Sequence, residues 1–252
     1  MRPTASILDL RNPRIIPVFL SVVAGCVDSC TFLGLFGLFV AQVTGSFVVT
    51  GAQLVAHDPG FLIKILGIPF FLLGGILTTI IVAVGRERGG ATYSWSFGLE
   101  AILLVCFLVI GVSASPFRSP NGVTELATAF FGLSAMGVQS AQVRLVLKGV
   151  ASTNVMTTNT TLIAIEATET ALAWWRIRTS DAESDGLARF TAARGRLMQL
   201  ISIALGFLAG TVLGALTYQL IGFWSLVLPT AIVVSLALWA TFSQPAGLQP
   251  AT

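Results

Sequence analysis

Charged residues are scarce in this chain: Lys, Arg, Asp and Glu make up 10% of its 252 residues, whereas hydrophobic residues make up 55%. Because about a quarter of the residues in soluble domains are charged, an ordinary soluble domain is excluded. The 14 basic and 11 acidic residues give a net charge of only +3, so no nucleic-acid-binding surface is indicated. The mean hydropathy of +0.88 predicts an integral membrane protein whose main partner is the lipid bilayer.

Residues that carry catalysis or bind metals are also few. The single histidine, His57, lies in a turn-like His-Asp-Pro-Gly sequence. The three cysteines, Cys26, Cys30 and Cys106, all lie in apolar runs, where a thiol is usually a small packing residue. No nucleophile–base pair, glycine-rich phosphate loop or cluster of metal ligands is visible. The sequence therefore predicts a protein that is not an enzyme and that needs no cofactor or metal.

Six apolar runs are long enough to cross a bilayer, which takes about 20 residues per helix. They cover residues 15–41, 61–85, 95–113, 123–147, 197–220 and 222–242. Two shorter stretches, 46–56 and 159–173, are too short to cross, so we expect them to be re-entrant half-helices. The predicted fold is an all-α integral membrane protein with six transmembrane helices and two half-helices.

The distribution of basic residues supports six crossings. With both termini in the cytoplasm, 12 of the 14 basic residues are cytoplasmic and only Lys64 and Arg118 are external. If both short stretches crossed fully, the ratio would fall to 10 against 4. The bias predicts a multi-pass protein with cytoplasmic N- and C-termini.

The two halves of the chain share a pattern of polar residues inside apolar runs. In the first half Asp28 is followed by the Thr-containing segment 42–46, and in the second half Gln139 is followed by segment 154–159. We divide the single membrane domain into a first repeat, 1–114, and a second repeat, 115–252, which includes a cytoplasmic linker at 176–196. Three crossings per half give the halves opposite orientations. Inverted 3+3 repeats with discontinuous helices are typical of secondary transporters.

The same residues resemble a known family. The matching motifs are Ala24-Gly25-x-x-Asp28, Phe39-Val40-Ala41-Gln42-Val43-Thr44-Gly45-Ser46, Gly137-x-Gln139-Ser140-Ala141 and the segment Thr153 to Asn159. Together they resemble the YoaK family over nearly the whole chain. The resemblance implies a bacterial cytoplasmic-membrane protein of about six helices with an uncharacterised role. Thr158 and Ser46 depart from the family pattern, which more often has Gly and Asn there.

Asp28 is the main candidate for a functional residue, because a carboxylate in the middle of a span needs compensation. It is either a proton- or cation-coupling group or a structural acceptor of hydrogen bonds. Gln139 is its expected counterpart, and it either lines a common cavity or joins helices. The remaining candidates for binding a solute lie in the two short segments: Gln42, Thr44, Gly45, Ser46, Asn154, Thr157, Thr158 and Asn159.

Ser46 and Asn159 are predicted to be the N-caps of the half-helices, whose free N–H groups would favour an anion. The threonines alternatively serve only to satisfy the backbone. Gly206, Gly210 and Gly214 form a ridge for close helix packing, either within the chain or in a homo-oligomer. Two further sets of charged residues are expected near the membrane surfaces. Glu100, Glu125 and Arg144 are expected to snorkel, and Glu166 with Glu169 either meet Arg176 at the surface or line a polar vestibule.

These observations favour a secondary transporter of a small polar or anionic solute, with proton coupling through Asp28 as one mechanism. The alternative is a scaffold or sensor that binds partners and transports nothing. A cavity that reaches Asp28 is expected for transport, whereas a scaffold would bury the carboxylate against donors.

Overall fold

The computed structural model describes residues 15–56, 60–88, 92–147, 149–179 and 183–242. Over these residues the chain forms eight α-helices, one 3₁₀ helix and no strand, which confirms the all-helical prediction. The elements are α1 (Ile15–Gly34), α2 (Val43–Ala56), α3 (Phe61–Glu87), α4 (Thr92–Ala114), α5 (Val123–Leu145), α6 (Met156–Thr179), α7 (Glu183–Ile221), a 3₁₀ helix (Gly222–Leu226) and α8 (Val227–Phe242).

Several of these helices are suited to a bilayer. Four segments are long and apolar enough to cross one: Ile15–Gly34, Phe61–Glu87, Thr92–Ala114 and Gly186–Phe242, the last of which contains most of α7 and all of α8. On α3, Leu72, Ile76 and Ile80 repeat at four-residue spacing and are each more than half exposed. An outward stripe of this kind would face lipid tails, because water would penalise it. The apolar helices therefore indicate a membrane protein.

The first helix is shorter than its apolar run. The run extends to residue 41, but α1 ends at Gly34 because Phe36 and Gly37 both have positive φ, 53° and 73°. The amide of Gly37 donates to the carbonyl of Phe32 (3.1 Å), which closes the last turn. Residues 35–42 thus become a non-helical segment, which we call break 1.

The second half departs from the prediction in the opposite direction, because its helices are longer than expected. The predicted half-helix 159–173 is part of the 24-residue α6, and the predicted span 197–220 is part of the 39-residue α7. The linker predicted at 176–196 is therefore helical over most of its length. Arg196 of α7 contacts Glu166 (2.7 Å) and Glu169 (3.3 Å) of α6, so these two helices are antiparallel neighbours.

Two close helix crossings, α1 with α7 and α3 with α5, are built in the same way. A methyl group added at Gly25 of α1 would collide with the carbonyl of Phe207, and one added at Gly210 of α7 would collide with that of Val22. At the second crossing, Gly137 faces the carbonyl of Phe71 and Gly74 faces that of Ser134. At both crossings, each helix contributes a glycine that faces a backbone carbonyl of the other helix. The helices therefore approach more closely than any side chain would allow.

The directions of the helices follow from one buried cluster. This cluster joins the first turns of α1 and α4 to the last turns of α5 and α8; its members are Ile16, Leu20, Phe97, Val143, Leu147, Leu236 and Ala240. Hence α1 and α4 run in one direction and α5 and α8 in the other. The glycine contacts make α7 parallel to α1 and α3 parallel to α5. Because α1 and α3 run in opposite directions, α2 does not cross the bundle between them. Because α5 and α7 also run in opposite directions, α6 does not cross it either.

Candidate solute site at the two helix breaks

Asp28 is bonded to the backbone of break 1. Its Oδ1 accepts hydrogen bonds from the amides of Val40 (2.8 Å) and Ala41 (2.6 Å), and its Oδ2 accepts one from the amide of Gln42 (3.1 Å). The side chain is buried, with 4% of its surface exposed. The compensation expected for this carboxylate is therefore three backbone donors just before α2, where the helix dipole also favours a negative charge.

A cavity of about 290 Å³ reaches Asp28. Its lining combines side chains of α1, break 1 and α7: Asp28, Ser29, Phe32, Leu33, Phe39, Gln42, Phe207, Thr211 and Ala215. Asp28 is the one charged residue in this lining, and Gln42 and Thr211 add polar groups. The carboxylate thus has both of the features that were expected to separate transport from a structural role: a cavity beside it and donors against it.

The second non-helical segment, break 2 (residues 149–155), is held by neutral groups. The amide Nε2 of Gln139 lies 3.0 Å from the carbonyl of Leu20, 3.1 Å from Thr153 Oγ1 and 3.0 Å from Asn154 Oδ1. Gln139, Thr153 and Asn154 are almost completely buried. Break 2 is therefore tied to α1 and α5 through a network of amides and hydroxyls.

The backbone of break 2 is also bonded by side chains of its own. Ser152 Oγ accepts hydrogen bonds from the amides of Asn154 (3.4 Å) and Val155 (3.2 Å), just before α6 begins. Asn154 Nδ2 donates to Ser140 Oγ of α5 (3.1 Å). The Ser152 hydroxyl thus satisfies two N–H groups of break 2 without adding charge.

Matching hydrogen bonds relate the two breaks. The backbone amide of Gln42 donates to the Asp28 carboxylate, and the side-chain amide of Asn154 donates to the Ser140 hydroxyl; in both cases donor and acceptor are 14 residues apart. Gln139 donates to Thr153 across the same 14 positions, so this spacing fits both Ser140 and the predicted Gln139 as the counterpart of Asp28. The glycine contacts favour Ser140, because Gly25 and Gly137 are separated by the same 112 positions as Asp28 and Ser140.

Ser46 and Asn159 also match, but not as N-caps. Ser46 Oγ donates to the carbonyl of Phe39 (3.1 Å), and Asn159 Nδ2 donates to that of Ser152 (2.6 Å), seven residues back in each case. Because α2 begins at Val43 and α6 at Met156, both residues occupy the fourth position of their helix. The N-cap prediction was therefore wrong by three to four residues, and these side chains instead hold the preceding break against its helix.

The other candidates from the two short segments do not join a common site. Thr44, Thr157 and Thr158 are exposed on the outer faces of α2 and α6. A methyl group at Gly45 would lie 3.1 Å from the ring of Phe39, so this glycine makes room for an aromatic wall of the cavity. The cavity at break 1 contains no residue of break 2 in its lining.

The glycine ridge faces the interior of the chain. Gly206, Gly210 and Gly214 approach the carbonyls of Val18, Val22 and Cys26 on α1, respectively. Close packing of these glycines is thus used within the protomer.

Two carboxylates predicted to snorkel are instead buried. Glu100 is fully buried and accepts a hydrogen bond from Gln142 Nε2. Glu125, 5% exposed, accepts hydrogen bonds from the amides of Arg118 (3.1 Å) and Ser119 (3.3 Å) in the loop before α5. Glu166 and Glu169 lie at the surface as expected, although their partner is Arg196 and not Arg176.

Comparison with known proteins gives a family but no activity. Residues 16–239, which extend from the start of α1 to the end of α8, match the family model described as "Protein of unknown function (DUF1275)". Neither the curated proteins nor the solved structures contain a significant match. The narrower resemblance to the YoaK family stays a prediction. The chain belongs to the DUF1275 family of proteins of unknown function.

Proposed function

We propose that this protein is a secondary transporter of a small polar or anionic solute, built as an inverted repeat that exchanges α1–α4 with α5–α8. The observation that carries the proposal is the pair of breaks. Each break is hydrogen-bonded to the helix before it and to the helix after it, and the two halves of the chain that contain them run in opposite directions. Discontinuous helices that meet between inverted repeats form the solute sites of many secondary transporters. Enzyme chemistry is not part of the proposal.

The depth of the two breaks supports a path through the middle of the bilayer. The 20 residues of α1 have their midpoint near Ala24 and Gly25. Asp28, which holds break 1, lies about 5 Å beyond this midpoint at 1.5 Å per residue. Leu20, which contacts Gln139, and Ser21, whose hydroxyl lies 3.4 Å from the carbonyl of Thr153, are a similar distance before it. The breaks therefore lie on opposite sides of the midpoint and close to it.

We place both termini in the cytoplasm of a bacterium, with six crossings of the cytoplasmic membrane. The directions of α1, α3, α4, α5, α7 and α8 support this topology, as does the excess of arginine and lysine on one side. In this arrangement α2 returns to the external side and α6 to the cytoplasmic side.

The chemistry of the breaks suggests where a solute binds and how a proton acts. Three N–H groups of break 1 are already bonded to Asp28, so an anion would meet a carboxylate there and would bind more favourably at neutral break 2. Protonation of Asp28 would remove its charge and weaken its three hydrogen bonds. We therefore propose that protonation releases break 1 and opens the cavity, which couples proton binding to the movement of the solute.

A ligand screen with a matched control tests the proposal. Purified protein in lipid nanodiscs is heated with candidate ions and metabolites, in the wild type, in Gln42→Leu and in Thr50→Val. Gln42 lines the cavity with its side chain and bonds Asp28 through its backbone, whereas Thr50 lies two turns along α2 and bonds only the carbonyl of Ser46. A solute at 100 times its Kd should stabilise by about 2.7 kcal/mol.

We expect a polar solute that binds in the cavity at break 1 to stabilise the wild type and Thr50→Val, with a weaker effect on Gln42→Leu. An anion that binds at break 2 should stabilise all three proteins alike. The stabilising solute should accumulate in proteoliposomes, and a pH gradient should change the rate of uptake. The absence of both stabilisation and uptake for every solute class would contradict transport and favour the scaffold or sensor.

A further inference from the structure

A second buried carboxyl group lies outside the two breaks. Glu100 of α4 is 0% exposed, and its partner Gln142 of α5 is 1% exposed. Gln142 Nε2 donates to Glu100 Oε2. Glu100 Oε1 and Gln142 Oε1 are both buried acceptors without a hydrogen-bond partner. The pair therefore has two buried acceptor oxygens and no donor for either of them.

The surroundings of Glu100 supply no positive charge. Within the described residues Glu100 has no ion pair, and the elements packed against α4 are α3, α5, α8 and the 3₁₀ helix. The last two contain no charged residue. The charged or titratable groups on the others are Lys64, Arg86 and Glu87 on α3, Glu125 and Arg144 on α5, and Tyr93 and Cys106 on α4 itself.

The charged groups face elsewhere. Lys64 Nζ lies beside Gly37 of break 1, and Glu87 is exposed at the end of α3. Arg86 donates to the carbonyl of Leu145 (3.0 Å) and Tyr93 to that of Val146 (3.0 Å), while Arg144 is exposed. Glu125 lies 17 positions before Gln142 on α5, about 26 Å away along the helix axis. A carboxylate at Glu100 would therefore be buried with a single neutral donor, which is strongly unfavourable.

Asp28 shows what an ionised carboxylate receives in this protein, since three backbone N–H groups surround it. Glu100 receives one amide donor and leaves one oxygen unbonded. One proton on Glu100 Oε1 removes the charge and supplies an O–H donor for the unbonded Oε1 of Gln142. The result is a cyclic acid–amide pair with two hydrogen bonds.

We propose that Glu100 and Gln142 form a proton-binding site between α4 and α5. The proton comes from a hydronium ion of the solvent: one O–H bond of hydronium breaks, leaving water, and one O–H bond forms at Oε1 of the carboxylate. Gln139, which holds break 2, lies one helical turn before Gln142, and its Oε1 also lacks a partner. The site thus lies beside break 2, and its existence does not depend on whether the protein transports a solute.

Infrared spectroscopy of the protein in lipid nanodiscs tests this site, because the C=O stretch of a protonated carboxylic acid is separate from the carboxylate bands. We expect this stretch in the wild type at neutral pH and its loss in Glu100→Gln. The matched control is Glu125→Gln, because Glu125 is held by backbone donors near a helix end and should not contribute to the band. A band that is absent from the wild type, or unchanged in Glu100→Gln, would overturn the proposal.

A second variant, Gln142→Leu, keeps the test decisive if Glu100→Gln folds poorly, and two further measurements compare Glu100→Gln with the wild type if it folds. Gln142→Leu should retain the band at a higher frequency, because the acid then loses its amide partner. The folded wild type holds a proton that the unfolded chain releases, so its stability should fall as the pH rises above about 4.3, the ordinary pKa of a glutamate side chain, and less so in Glu100→Gln. Stabilisation by Na⁺, but not by K⁺ or choline, that is lost in Glu100→Gln would instead identify a sodium site and contradict proton binding.

Discussion

Break 1 and break 2 solve the same structural problem with different chemistry. Break 1 is held by one carboxylate, Asp28, which accepts three backbone hydrogen bonds. Break 2 is held by several neutral groups, among them Gln139, Ser140 and Ser152, each with one or a few contacts. The comparison shows that an irregular backbone at membrane depth requires that its donors and acceptors be satisfied, and that no particular residue type is needed for this.

The difference also distributes charge unequally. Break 1 carries a buried negative charge when Asp28 is ionised, whereas break 2 contains no ionisable side chain among residues 149–155. Only break 1 can therefore respond directly to a proton. Break 2 is expected to change with pH only through its neighbour Glu100.

The largest effect should come from Asp28→Ala. Alanine leaves the amides of Val40, Ala41 and Gln42 unpaired in a buried place, so we expect a loss of about 3 kcal/mol or more in the free energy of unfolding. Ser140→Ala removes one neutral hydrogen bond and should cost about 1 kcal/mol. Thermal unfolding of both variants in nanodiscs measures the difference. Equal losses of stability would contradict the conclusion that Asp28 alone holds break 1.

The two glycine crossings should respond alike, with the next largest effect. Gly74→Ala and Gly210→Ala each place a methyl group against a carbonyl of the facing helix and should lose about 1–3 kcal/mol. Gly75 has open space where its side chain would lie, so Gly75→Ala should be neutral or slightly stabilising. If only one of these two variants is destabilised, the α1–α7 and α3–α5 crossings are not equivalent.

The smallest effects should come from the side chains that hold each break against its own helix. Ser46→Ala and Asn159→Ala each remove one hydrogen bond to a carbonyl seven residues earlier. We expect each to cost about 1 kcal/mol, measured as the shift in Tm. A loss at only one of the two positions would show that the similarity of their hydrogen bonds has no energetic counterpart.

The sequence predicted the helical class and drew attention to Asp28 for a sound physical reason, since a carboxylate inside an apolar run must be compensated. It could not identify the partners of Asp28, because these are backbone amides and no side chain at residues 40–42 identifies them. The pairing of Asp28 with Gln139 stays a prediction, because short polar motifs tolerate a shift of one residue and the hydrogen bonds at break 2 involve both Gln139 and Ser140.

Glu100 shows a different limit. Near the start of an apolar run it looked like a residue that snorkels to the surface, and only the packing of α5 against α4 places it in the interior. The positive φ values of Phe36 and Gly37 likewise ended α1 inside a run that composition alone would have continued.

The most direct test of the central claim is to locate the ends of α2 and α6 relative to the membrane. Single cysteines replace the exposed last residues of these helices, Ala56 and Thr179, in a background without Cys26, Cys30 and Cys106. An impermeant thiol reagent is then added to right-side-out and to inside-out vesicles. The inverted repeat predicts that Ala56→Cys reacts only from outside and Thr179→Cys only from the cytoplasmic side. Reaction of both from the cytoplasmic side would mean that α2 and α6 each cross the membrane, and reaction of both from outside would mean that α6 alone crosses it. Either result would contradict the account.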